Sequence, residues 1–348
     1  MKQIKFNFSH SILALATVAF MMVACDRNKE DEVDKTALQT AITSATTLIE
    51  TTTEGTAEGQ YMPGSKAVLQ EVIDAAQTVY DNETATQVEV DNAVIAVNAA
   101  VTAYGTKIVE AIAPEALVGH WTFDDGSGTT LTDFSGNGFD GTLADGTGTW
   151  GGDLPQWTTD RYGNSGGALA FNLGSHVVIP YNAALNPAQI SISLWINAAE
   201  VLENNRFMGL HSWLGYKFQL QSANKAFFTV SATDAIYDKD TDPPLEVGTW
   251  YHIVVTFGDG NTVFYVNGTQ TISYETAGTA TLNSGNDLVF GQDSDEYAAD
   301  DSNYDNDHII PLSWGGYFHG SLDEVRMYNT VLTPAQVASI YNVEKVQE

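Results

Sequence analysis

The chain has a single cysteine, Cys25, so no disulfide can form within it, and buried apolar side chains must hold any folded part together. Basic residues are scarce: 14 Lys and Arg stand against 44 Asp and Glu, a formal net charge of -30. A field of that sign repels phosphate backbones, which excludes nucleic acid as a partner. Long apolar runs are also missing. The one from Ile12 to Val23 is too short to cross a bilayer as a helix. Aromatic residues are nearly absent from residues 34–112, while all seven tryptophans lie beyond them.

The short apolar run follows the basic start Met1-Lys2-Gln3-Ile4-Lys5 and stops at Ala24-Cys25, the pattern of a cleavable signal peptide over residues 1–24. Met22-Val23-Ala24-Cys25 resembles a lipobox, which implies acylation of Cys25. Residues 25–33 include Asp26-Arg27-Asn28-Lys29-Glu30-Asp31-Glu32, a charged run that cannot bury itself and reads as a solvated tether. This run resembles the acidic export signal of Bacteroidetes lipoproteins. That resemblance implies a lipid-anchored protein exposed on the outer face of the cell outer membrane.

Over residues 34–112 apolar side chains recur at helical spacing. One stripe is Leu38, Ile42, Ala45 and Ile49; a second is Leu69, Ile73, Ala76 and Tyr80; a third is Val90, Val94, Val97, Val101 and Tyr104. Gly55 to Gly64 separates the first two, and Pro63 suits a first helical turn. Three one-faced helices predict a small bundle. Glu54-Gly55, Tyr61, Gly64, Ala85-Thr86-Gln87 and Val90-Asp91-Asn92-Ala93 resemble the FIVAR module, which implies a spacer.

Ala113-Pro114-Glu115 breaks the helical period, so residues 113–116 read as a linker. From Leu117 to Glu348 the sequence predicts many short strands, among them Ile190 to Ile196 and the pair Tyr251 to Phe257 with Val263 to Val266. Thr333-Pro334-Ala335-Gln336 predicts a capped closing helix. Gly119-His120-Trp121-Thr122-Phe123-Asp124, Asp133-Phe134-Ser135-Gly136-Asn137-Gly138, Gly166-Gly167-Ala168-Leu169-Ala170-Phe171-Asn172, Gly248-Thr249-Trp250-Tyr251-His252, Tyr265-Val266-Asn267-Gly268 and the run Gly320 to Asn329 are similar, in order, to the signatures of laminin-G-like domains. The fold so implied is an all-β jelly-roll sandwich of the concanavalin A-like, pentraxin-like kind, preceded by the three-helix bundle.

Enzymes of this fold that cut beta-glucans need paired carboxylates on one strand face. The only Glu-x-Asp matches, Glu32-Val33-Asp34 and Glu89-Val90-Asp91, lie outside the jelly roll. Gly163-Asn164-Ser165-Gly166-Gly167 matches a nucleophile elbow by letter, yet a strand follows it where that motif requires a helix. His120, His176, His211, His252, His308 and His319 lack metal-ligand spacing. No catalytic residue is therefore assigned.

A cation has better support, because turns rich in Asp, Asn, Ser and Gly supply the oxygens calcium takes. The family resemblance implies a structural calcium on Asp133, Asn137 and Asp323; the alternative is that Asp133 and Asn137 only shape their turn through side-chain hydrogen bonds. Gly291-Gln292-Asp293-Ser294-Asp295 resembles the pentraxin calcium loop, which adds Asp293 and Asp295 as candidate ligands. For a ligand, the aromatics in Gly- and Asp-rich connections are the candidates: Trp150, Trp157, Tyr162, Trp213, Tyr216, Tyr237, Tyr297, Tyr304 and Trp314. Flat rings beside Asp and Asn suit the apolar face and the hydroxyls of a sugar.

The expectation is a non-catalytic cell-surface protein that binds polysaccharide or oligosaccharide, working beside polysaccharide-uptake machinery. A jelly-roll glycoside hydrolase or polysaccharide lyase, and an adhesin for a protein partner, are the alternatives. Because the Cys25 thiol is the expected acylation site, Cys25→Ala should abolish incorporation of labelled fatty acid in cells; labelling that survives the substitution would remove the lipid anchor.

Overall fold

The computed structural model describes residues 33–146, 152–211, 213–281, 286–293 and 316–346. Three helices come first: α1 (Thr36–Thr51), α2 (Ser65–Asp81) and α3 (Gln87–Gly105). They bury Leu38, Ile42 and Ala45 against Leu69, Ile73 and Ala76 and against Val90, Val97 and Tyr104. On α3 the buried stripe runs through Ala93, not Val94, since i, i+3 and i+7 from Val90 share one face. A capping box of Thr86 and Glu89 starts α3. The start of α2 differs from expectation: Pro63 precedes the helix, Gly64 adopts φ +83 at its N-cap, and the Glu54 carboxylate accepts from the Lys66 N–H at 2.6 Å.

Beyond a single 3-10 turn, Pro114–Ala116, the chain is built of strands. In order they are β1 (Leu117–Trp121), β2 (Thr130–Leu131), β3 (Gly141–Ala144), β4 (Gln156–Thr159), β5 (Ser165–Phe171) and β6 (His176–Ile179). Then come β7 (Ile190–Ala198), β8 (Asn205–Gly209), β9 (Tyr216–Gln221), β10 (Lys225–Ser231) and β11 (Ile236–Asp240). The last are β12 (Tyr251–Gly258), β13 (Asn261–Val266), β14 (Thr269–Glu275), β15 (Leu288–Phe290) and β16 (Gly320–Tyr328), closed by α4 (Pro334–Glu344).

Two antiparallel sheets result. Sheet I runs β14-β13-β12-β7-β16-β5-β4, with β1 pairing the second half of β16; sheet II runs β11-β10-β9-β8-β15-β6-β3-β2. The expected β12–β13 hairpin forms, with a tighter turn than the sequence suggested. Asp259 and Gly260 alone make it, at φ 50 and 80, and Asn267 with Gly268 repeats the device between β13 and β14. Positive φ at both central residues gives a turn whose twist matches that of the strands it joins.

Alternation fills the space between the sheets. Ile190, Ile192, Leu194 and Ile196 of β7 and Ile253, Val255 and Phe257 of β12 face Tyr216, Phe218 and Leu220 of β9 and Phe228 and Val230 of β10. The opposite side of sheet I is covered too. Val254, Tyr265 and Tyr328 meet Leu332 and Val337 of the α4 region, so α4 roofs that sheet, and the capping box of Thr333 and Gln336 sets where it begins. The Ser339 hydroxyl accepts from the Glu110 N–H at 2.9 Å, and the Gln336 side chain donates to the Ala111 carbonyl.

Phe228 is fully buried against Tyr216 and Phe218 at ring separations of 6.2 and 5.8 Å. Phe228→Ala should therefore cost about 3–5 kcal/mol in denaturant unfolding. A loss under about 1 kcal/mol would place that ring outside the sandwich core.

Candidate functional site

Of the residues singled out from sequence, Cys25, Trp150, Asp295, Tyr297, Tyr304 and Trp314 lie outside the described residues. The others scatter. Tyr216, expected in a connection, is in β9 and wholly buried, its hydroxyl donating to the Leu185 carbonyl at 2.8 Å. A ring enclosed between the sheets does not meet a surface ligand. Trp157 lies in edge strand β4, half-buried on the core, with its indole N–H donated to the Gly128 carbonyl. Tyr237 is in β11 and closes the sandwich edge beside Phe257, its hydroxyl donating to Asp234. Tyr162 stacks under the Arg161 guanidinium at 4.3 Å.

The calcium candidates are already engaged by the protein. Asp133 accepts the N–H groups of His120, Ser135 and Phe139 and the Ser135 hydroxyl, at 2.7–3.0 Å. Burial works against its ionisation, but these donors outweigh it and hold the carboxyl below the usual carboxylate range. The Asn137 amide donates to the carbonyls of Leu117 and Val118. Asp323 is buried and paired with Arg161. As placed, the three do not offer one shared set of open oxygens, and among the described residues no cluster of three or more His, Cys, Asp or Glu could hold an ion.

Among the described histidines, two reach solvent, each against a carboxylate: His120 with Glu324 and His319 with Glu200. His252 is fully buried with Nε2 2.8 Å from the Ser193 hydroxyl; burial, then the charges of Arg326 and Arg161, push its pKa down to about 3. An imidazole so enclosed cannot take a proton from a nucleophile that meets substrate. Ser165 opens β5 without a following helix, and Glu89 lies in α3 of the bundle.

A better candidate is the outer face of sheet II, which no motif marked. Residues directly paired across antiparallel strands share a face. Asp240, Phe227, Gln219 and Arg206 form one row across β11, β10, β9 and β8; Asp238, Thr229, Lys217 and Gly209 form the next. Each row points away from the core. At one end the Lys217 ammonium lies 4.9 Å from the centre of the Trp213 ring and 5.5 Å from that of Phe227, within cation–π range. The Asp238 carboxylate, exposed, accepts the Thr229 hydroxyl at 2.6 Å. Trp213 keeps 41% of its surface in solvent, and Phe227 is half-buried. At the other end Gly209 lacks a side chain where Asp293 crosses the sheet; a Cβ there would lie 2.2 Å from Oδ1.

The alternation Tyr216-Lys217-Phe218-Gln219-Leu220 is the signal that could have found this face. It was hidden because Lys217 and Gln219 are themselves buried, at 3% and 1% exposure. Open to solvent are one flat ring and one carboxylate, with a second ring and an ammonium partly beneath them. That set can stack on an apolar ligand face and accept from hydroxyls.

The architecture is a two-sheet concanavalin A-like sandwich behind a helical module. Residues 171–338 match the family model of the concanavalin A-like lectin/glucanases superfamily, and residues 30–104 match that of the FIVAR domain. Two segments of the chain thus match family models, the helical one that of FIVAR and the other that of the concanavalin A-like superfamily. No curated protein matches it. Among solved structures, domain 4 of AbnA, a GH43 extracellular arabinanase from Geobacillus stearothermophilus in complex with arabinotriose, is similar at 20% identity, covering 65% of this chain and 98% of that one (TM-score 0.49). The binding domain of Paraclostridial Mosquitocidal Protein 1 is similar at 16% identity over 66% of this chain and 52% of that one (TM-score 0.47).

Since the acceptors of Asp133 are met by protein donors, Asp133→Ala should lower the melting temperature by the same amount in calcium and in chelator. A chelator effect present in the unaltered chain and absent in Asp133→Ala would place the ion at this turn.

Proposed function

We propose that the jelly roll is a non-catalytic carbohydrate-binding domain that contacts sugar at Trp213, Phe227 and Asp238. The supporting observation is the exposed Trp213 ring, set with Phe227 about the buried Lys217 and on the same outward face of sheet II as the exposed Asp238 carboxylate. A pyranose offers an apolar face to such rings and hydroxyls to the carboxylate. In this reading acylated Cys25 holds the protein on the outer face of the outer membrane. The bundle carries the jelly roll outward, and the captured glycan passes to polysaccharide-uptake machinery.

A glycan array of plant and host polysaccharides, followed by calorimetry on the positives, tests the reading. Trp213→Ala should weaken binding at least tenfold, about 1.4 kcal/mol, with an unchanged melting temperature because the ring is partly in solvent. Release of reducing ends would make the protein an enzyme; an array without positives, together with capture of a protein partner, would make it an adhesin.

A further inference from the structure

One side of the bundle is free of charge. Charged residues make up 17% of the chain, yet none occurs from Thr36 to Ile49 in α1 or from Asn92 to Gly105 in α3. Helix α2 differs, with Lys66, Glu71, Asp74 and Asp81 along it. Between α1 and α3 runs a groove of about 430 Å³, walled by Ala37, Ala41 and Ser44 on one side and by Val94, Asn98 and Val101 on the other. Asp91 lies before it on α3 and Glu50 beyond it on α1, so charge returns only at its ends.

One lip of the groove is an apolar ridge. On α3, Val88 keeps 67% and Ile95 66% of their surface in solvent, and Ala99 is exposed on the same side of the helix, four residues after Ile95. On α1 the hydroxyls of Thr40, Thr47 and Thr51 donate to the carbonyls of Thr36, Thr43 and Thr47, and on α3 that of Thr102 donates to Asn98, at 2.8–2.9 Å. A hydroxyl bonded within its own helix can be covered at little cost. Burying this face therefore strips water from no charge and leaves no threonine donor unpaired.

Charge and shape together select the occupant. A second copy carries the same net charge of -30, so two copies repel unless they meet where neither presents charge, and this face meets that condition on both. Its two halves also match in length. Val88 and Ile95 on the ridge are seven residues apart, about 10 Å along a helix, and so are Ala37 and Ser44 on the small-residue wall of the groove. A two-fold rotation lays the ridge of each copy along the groove of the other.

We infer that the protein self-associates through this α1/α3 face as a two-fold dimer. The helical module is then a dimerisation element as well as a spacer. The face lies in the bundle, so the assignment stands or falls separately from the sugar reading; where both hold, one dimer offers two jelly rolls to one polymer.

The test is sedimentation equilibrium of the full chain up to millimolar concentration, at low and high salt. A reversible dimer should appear, and it should tighten as salt rises, because screening weakens the repulsion between two acidic copies. Ile95→Asp on the ridge and Ser44→Asp on the groove wall should each weaken association at least tenfold, with helical content and melting temperature kept because both sites are exposed. Val68→Asp adds the same charge at an equally exposed site on α2 and should leave the dimer intact, as should Trp213→Ala. The assignment is overturned if the chain stays monomeric at millimolar concentration in high salt, if the dimer ignores both Ile95→Asp and Ser44→Asp, or if Val68→Asp dissociates it equally. A monomer that instead floats with phosphatidylethanolamine vesicles, and loses them in Ile95→Asp, would also overturn it and give the face to lipid.

Discussion

Everything in the jelly roll depends on the apolar contact between its two sheets. With one cysteine no covalent staple is available, so the facing rows of β7 and β12 against β9 and β10 must hold the sheets in register. That demand fixes the inward half of every strand and leaves the outward half to carry function. Sheet I gives its outward half to α4, which roofs Val254, Tyr265 and Tyr328. Sheet II keeps polar rows there, and these form the candidate ligand face.

Under α4 the outward side of sheet I holds charges that would be costly if unpaired. Arg161 pairs with Asp323; Arg326 pairs with Glu324 and Glu344; the Trp195 indole donates to the Glu344 carboxylate. Removing one member of such a set strands a buried charge, which costs more than the pair itself contributes. The set ties α4 to the sheet: Glu344 meets Arg326 and the Trp195 indole, and this placement stacks Tyr341 on Trp195.

Much of the fold was legible in the sequence. Leu38, Ile42 and Ala45 gave the bundle its period, and Ile190 to Ile196 and Tyr251 to Phe257 gave the sandwich its alternation. Side-chain burial within Gly- and Asp-rich stretches was not legible. Tyr216 follows Trp213-Leu214-Gly215 and looks like loop, yet its ring is enclosed because it alternates with Phe218 and Leu220. Asp323 looked like an ion ligand, and only the fold brings Arg161 to it from a turn 162 residues away in sequence. Pairing across such a separation leaves no local pattern to read.

The two hydrogen bonds from α4 to the linker have a mechanical meaning. Gln336 grips the main chain at Ala111 and Ser339 grips it at Glu110, just ahead of β1. Were the protein tethered at its front end and pulled by a polymer caught on the jelly roll, as proposed, tension along the linker would meet α4 first. The helix would then act as a strain relief, bearing load before the first rung between β1 and β16 is stretched.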